Sequence, residues 1–271
     1  MPRPLIKLYS FVKRDFLLSL RYPLSFLLSW LGLIIGVLNF YFISKFIAAQ
    51  ENVPALEQYG GDYFSFVLVG LAFIMFLGPA MTGLSEAMRG EQVMGTLEAI
   101  LVRPISIATL IVSIPFYGFL FSLIRCVLIV IMGIFLGAEF VRVDIILLLL
   151  ILIPSIISLI SIGIVSTSFI IVFKRGDPLG FVLGGLLPFL GGFLFPVHLF
   201  PSQIQFISRL IPITYSLRAL RYLLLTDMPI SFIWSDIMAL LCFCLVLFPF
   251  SLIVFRFALS KAARDGSLSK Y

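Results

Sequence analysis

Ile145-Ile-Leu-Leu-Leu-Leu-Ile-Leu-Ile153 is apolar on every side, and it opens a run that continues to Phe173. A strand of a membrane barrel would alternate apolar and polar positions over about ten residues, so the stretch reads as a helix. Crossing the hydrocarbon layer takes about 20 mostly apolar residues. Six segments meet or approach that length, at 24–46, 64–84, 107–136, 145–173, 179–195 and 233–257. Composition points the same way: 61% of the 271 residues are hydrophobic, 12% are charged and the mean hydropathy is +1.18. Apolar runs of this length exceed what a soluble core of that size uses. The expected fold is all-α, a single polytopic domain over 1–271 with six transmembrane helices. The first apolar run is far longer than the core of a signal peptide, about 7 to 15 residues, so it is expected to stay as an anchor.

Orientation follows from Lys and Arg, which cytoplasmic loops retain. With both termini inside, 13 of the 19 Lys and Arg residues fall on the cytoplasmic side. The net charge of +6 is then a topology signal beside anionic headgroups and does not indicate nucleic acid. Cys126, Cys242 and Cys244 all fall in expected spans, and Cys242 and Cys244 point about 200° apart around a helix, so neither a disulfide framework nor a metal site is indicated. His198 is the single histidine, and it reads as a loop residue between Pro196 and Pro201.

Ahead of the first span, residues 4–21 carry Leu5, Leu8, Tyr9, Val12, Phe16 and Leu20 at 3 to 4 residue spacing. Lys7, Ser10, Arg14 and Arg21 gather on another side. That is the pattern of an interfacial helix with snorkelling cations, ended by Pro23. On the outside, 47–63 and 137–144 are too short to fold as domains. The connection 196–230 differs, with apolar residues at helical spacing broken by Pro212. It is expected to form short helices dipping into the outer leaflet edge, with Arg209, Arg218 and Arg221 reaching for headgroups or water. Irregular backbone at that depth needs protein or water to satisfy it, so this re-entrant hairpin should pack on the bundle or cap a pathway.

Glycines recur at four-residue spacing in Gly32-x-x-x-Gly36, Gly133-x-x-x-Gly137 and Gly180-x-x-x-Gly184, which lets membrane helices approach closely. The denser run through Gly184, Gly185, Gly191 and Gly192 permits kinks and close contact, and marks the fifth span as a dimer-contact or pathway helix. Arg125 stands within the third span, and an intramembrane charge is a functional candidate. No acidic partner for it is expected from within the spans.

The longest polar interruption runs from Gly83 to Pro104 and includes Glu86, Arg89, Gly90-Glu91 and Gly95-Thr96-Leu97-Glu98. A short amphipathic helix held between two spans, expected at 90–101, is a surface to offer to a soluble partner. The chain has no Gly-x-x-x-x-Gly-Lys-Ser/Thr loop for nucleotide phosphates, no His-Glu-x-x-His helix and no Gly-x-Ser-x-Gly elbow. An integral-membrane enzyme is therefore a poor fit.

Gly90-Glu91 followed by Gly95-Thr96-Leu97-Glu98-Ala-Ile-Leu-Val-Arg103-Pro104 resembles the E-x-x-x-G-T-L-E-x-L-L-x-x-P segment of ABC-2 type transporter permeases. Six expected spans, the basic N-terminal helix and the outer hairpin ending in Pro212-Ile-Thr-Tyr215-Ser-Leu-Arg218-Ala-Leu-Arg221 extend the resemblance over nearly the whole chain. It implies a transport subunit without its own nucleotide site, in the cytoplasmic membrane, driven by a separate ATPase subunit that carries the ATP and Mg. Glu91, Gly95, Thr96, Leu97 and Glu98 would form the coupling helix that docks in that ATPase. Arg175 and Asp177, within Lys174-Arg-Gly-Asp-Pro178, would make a shorter second contact. Residues 4–21, with Lys7 and Arg14, would be the connecting helix. The expected assembly is two ATPases with two permease copies, as a homodimer whose pathway lies between the copies.

Twenty-nine Phe residues and few intramembrane charges suit an apolar or amphipathic cargo, a small molecule or a lipid. Within the family, lipid-linked glycan export is the nearest rival. Outside it stand a secondary transporter, which would need internal repeats with matched broken helices, and a membrane scaffold that recruits a partner without moving cargo.

Overall fold

In a computed structural model, residues 21, 23–48, 54–93, 107–141, 143–173, 178–227, 229 and 231–264 are described. They form helices α1 (Pro23–Ala48), α2 (Tyr63–Val93), α3 (Ile107–Phe135), α4 (Ile145–Phe173), α5 (Pro178–Phe181), α6 (Leu187–Leu190), α7 (Ser202–Arg209), α8 (Pro212–Leu225) and α9 (Ser231–Arg264). A π-turn, Val182–Leu186, joins α5 to α6, and 3-10 turns occupy Pro54–Tyr59 and Val197–Leu199. No strand occurs among the described residues.

Five of these helices, α1 to α4 and α9, are long and apolar enough to cross a membrane. The fifth expected span, 179–195, is not one of them. Its helix stops at Leu190, because Gly191 and Gly192 form a turn in which Gly192 takes φ +87°, a conformation that favours glycine. At 1.5 Å per residue the segment is too short for a hydrocarbon core of about 30 Å. The glycine run that suggested close contact along a whole span thus ends the helix instead.

The hub of the bundle is α2, which packs on α1, α3, α4 and α8, while α4 joins it to α9. Phe66, Val67, Leu77 and Ala80 of α2 share one core with Leu159 of α4, Leu217 of α8 and Ile237 of α9. By contrast α1 touches mainly α2 and α3, and Leu24, Leu27, Leu28, Ile35 and Phe42 along it are exposed. Lipid or a partner chain has to cover that apolar surface, because water would not.

Two carboxylates start helices at the same end of the bundle. Phe64 and Ser65 donate backbone N–H groups to Asp62 at 3.1 and 2.8 Å, and Ile146 donates to Asp144 at 2.8 Å. Each satisfies orphan donors and faces the positive end of its helix dipole. Acidic residues flanking apolar runs thus set where α2 and α4 begin.

Close approach of α2 and α4 depends on Gly163. A methyl group placed there would sit 2.6 Å from the carbonyl oxygen of Ala80 and 2.7 Å from that of Met81, and backbone cannot swing aside as a side chain can. Gly163→Ala is expected to force the helices apart and cost about 1–3 kcal/mol. Gly36→Ala in α1, where nothing lies within 4 Å, should leave stability unchanged or slightly raised. Thermal unfolding of the two variants in one detergent checks the contrast.

Candidate functional site

A cleft of about 1080 Å³ opens between α1, α2, α3 and the π-turn segment. Ser25, Phe26 and Ser29 of α1 form one wall, and Gly118, Phe121, Ser122 and Arg125 of α3 form another. The back is α2, from Ile74 to Ala87, and Leu183, Gly184 and Pro188 close the remaining side. Polar atoms from Ser25, Ser29, Thr82 and Glu86 therefore share one mostly apolar space with a single guanidinium.

Antiparallel packing fixes the depth of that guanidinium. Ser122 donates its hydroxyl to the carbonyl of Phe76 at 3.0 Å, and Gly118 lies against Pro79. Stepping along both helices puts Arg125 level with about Phe73, roughly 13 to 14 Å along α2 from Phe64. It therefore sits about midway through a 30 Å layer. Arg125 reaches Ser29 Oγ at 3.4 Å and lies 5.9 and 5.4 Å from the ring centroids of Trp30 and Phe121. Such ring faces stabilise a cation, and they explain how it is tolerated with no carboxylate paired to it among the described residues.

The π-turn gives the cleft its fourth wall. Leu187 donates its N–H to the carbonyl of Val182, five residues back, in place of an α-helical bond. Gly184 faces the cleft, and neither it nor Gly185 has any atom within 4 Å of where a Cβ would stand. Gly191 and Gly192 are elsewhere, in the turn after α6. There a Cβ on Gly191 would meet Ile213 at 2.6 Å, and one on Gly192 would meet Val197 at 2.8 Å. Of the five pathway candidates, the structure brings together Arg125 and Gly184.

That turn is clamped from α8. Arg221, 2% exposed, donates to the carbonyls of Phe66 at 3.2 Å, Gly192 at 2.7 Å and Phe193 at 2.8 Å, with its guanidinium 3.4 Å from the Phe66 ring centroid. One turn earlier, Arg218 forms a bidentate ion pair with Asp236 in the first turns of α9. Both findings correct the sequence reading. Arg221 does not reach for headgroups or water, and an acidic residue does sit within an expected span, although it pairs with Arg218 and not with Arg125. The missed signal was Asp236 itself, a lone carboxylate inside the 233–257 run whose cost demanded a partner.

The same end of the molecule is tied further by Gln58 Nε2 to His198 Nδ1 at 3.0 Å, by Val141 N–H to Leu224 O at 2.9 Å and by Tyr59 against Tyr222. Burial, with Tyr222 beside it, pushes the Tyr59 phenol up to about 12, so it stays neutral at physiological pH.

At the opposite end Glu91 continues α2 as helix. Gly95, Thr96, Leu97 and Glu98 lie outside the described residues, as do Arg175, Asp177, Lys7 and Arg14.

Five long apolar helices, three of them lining a cleft, define a multi-pass helical membrane protein. Residues 7–225 match the family described as ABC-2 type transporter, well over half of the 271 residues, and the chain belongs to that family. None of the curated proteins compared with it matches.

Proposed function

We propose that the chain is the permease subunit of an ATP-driven exporter in the cytoplasmic membrane. It moves an apolar or amphipathic molecule through spans powered by a separate ATPase subunit. Both termini are cytoplasmic, two identical permeases stand beside two ATPases, and ATP with Mg binds in the partner. The family match supports the transport role. The observation that carries the coupling is the length of α2. Its 31 residues from Tyr63 to Val93 make a rod of about 46 Å, longer than the 30 Å layer by about ten residues. Packed at one end against α8 and leading at the other directly towards Gly95-Thr96-Leu97-Glu98, it can carry a push from a docked ATPase to the cleft.

In this reading Glu91 and 95–98 dock in the ATPase, Arg175 and Asp177 add the second contact, and the helix at 4–21 with Lys7 and Arg14 touches it from the side. Closure of the ATPases then favours one arrangement of the spans by differential contact. Leu97→Arg and Glu98→Ala, purified with the ATPase in lipid nanodiscs, are expected to weaken association about 30-fold, as interface anchors do. The melting temperature of the permease alone should not change. Variants that keep full association and wild-type ATP hydrolysis would overturn the assignment.

A further inference from the structure

Arg125 has unused capacity. Among the described residues its Nε is buried with no hydrogen-bond partner, its one hydrogen bond, to Ser29, is long at 3.4 Å, and the sole ion pair is Arg218 with Asp236. Glu86 lines the same cleft but is 13 residues along α2 from the level of Arg125, about 20 Å away, too far to neutralise it. A guanidinium offers five N–H donors in a planar fork that matches a carboxylate or phosphate. Here the fork is raised on aromatic rings beside an open cavity at mid-membrane.

We propose that Arg125 and Ser29 receive the carboxylate or phosphate of an amphipathic molecule whose apolar part lies against Phe26 and Phe121, beside Trp30. This rests on the permease reading and narrows its cargo to acidic amphiphiles. Phe26 and Phe121 give the chain of such a molecule an apolar wall, held by edge-to-face and tilted contacts among Phe26, Trp30 and Phe121 at 5.5 to 5.9 Å between ring centroids. The acid group supplies the charge-assisted hydrogen bonds that the protein leaves unmade. A neutral amphiphile of the same length would fill the apolar wall and leave the guanidinium unpaired, so the site selects for the acid.

Trp30, packed against Phe26 and Phe121, is a reporter beside the site, and Trp234 is the only other tryptophan. The full-length chain carrying Trp234→Phe is placed in nanodiscs of neutral phosphatidylcholine and titrated with stearate brominated at mid-chain, or with its methyl ester. Bromine quenches an indole on contact. The ionised acid is expected to reach half-quenching at about tenfold lower membrane concentration than the ester. Arg125→Gln should erase that preference and Arg125→Lys should keep part of it. Brominated phosphatidylglycerol, titrated separately, distinguishes the sources. Saturable quenching by the fatty acid marks a free amphiphile, and saturable quenching by the phosphatidylglycerol alone marks a resident bilayer lipid; both outcomes support an oxyanion site. Coincident curves for acid and ester in the protein with Arg125 intact, together with no saturable quenching by brominated phosphatidylglycerol, overturn the proposal whether or not the variants fold, as does a preference that survives Arg125→Gln. Neither ATPase nor nucleotide is present, so the result is independent of the coupling assignment.

Discussion

Arg221→Met is expected to destabilise the folded chain by about 3–5 kcal/mol, the range for removing one side of a buried polar arrangement. The methionine fills similar space and keeps contact with the Phe66 ring, so the loss reports the hydrogen bonds. Phe66 lies inside α2, whereas Gly192 and Phe193 lie in the turn that ends α6, where no helix continues to supply donors. Two carbonyls buried in an apolar setting lose their partners, at about 1–3 kcal/mol each. Lysine should recover only part, because one ammonium on a flexible stem cannot span α2 and the turn as the planar fork does. Thermal unfolding followed by size-exclusion profile checks the series. A methionine variant as stable as the wild type would mean that the turn holds without the clamp.

The second large effect is an asymmetry. Asp236 is 1% exposed, whereas the side chain of Arg218 is 43% exposed. Arg218→Met therefore strands a buried carboxylate, while Asp236→Asn leaves a cation that can turn towards water or headgroups. The arginine variant is expected to lose about 3 kcal/mol and the asparagine variant about 1 kcal/mol. The double variant should be more stable than Arg218→Met alone, because it removes the stranded charge. Melting temperatures of the four proteins form a double-mutant cycle. Equal losses from the two single changes would show that the burial difference does not decide the energetics.

How far the fold could be read in advance depended on which interactions were local. The long spans were legible because each carries its own apolar run, and α8 was announced by Pro212 followed by apolar residues at helical spacing. The fifth span failed because hydropathy averages over Gly191 and Gly192 and does not register the positive φ that stops a helix. The cleft was less legible. Ser29, Thr82, Arg125 and Gly184 belong to four separate segments, and only the antiparallel register of α2 and α3 with the break after Phe181 places them around one space. Arg125 could be singled out as an intramembrane charge, but its aromatic bed could not. Arg218 and Arg221, three residues apart on one helix, look alike in sequence. One is half-exposed and paired with a carboxylate, and the other is sealed among carbonyls. That difference comes from which neighbours α9 and α2 bring to each.

The π-turn at Val182–Leu186 holds one residue more than an α-helical turn would need. Each residue of an α-helix advances the chain by about 100°. A residue deleted from ordinary helix therefore rotates everything after it by about that angle, whereas the wide turn between Val182 and Leu187 absorbs its extra residue, and losing that residue would leave Leu187 over Val182 and Pro188 on the wall of the cleft. This stretch of chain can thus change length by one residue and still present the same face, which ordinary helix on either side of it cannot do.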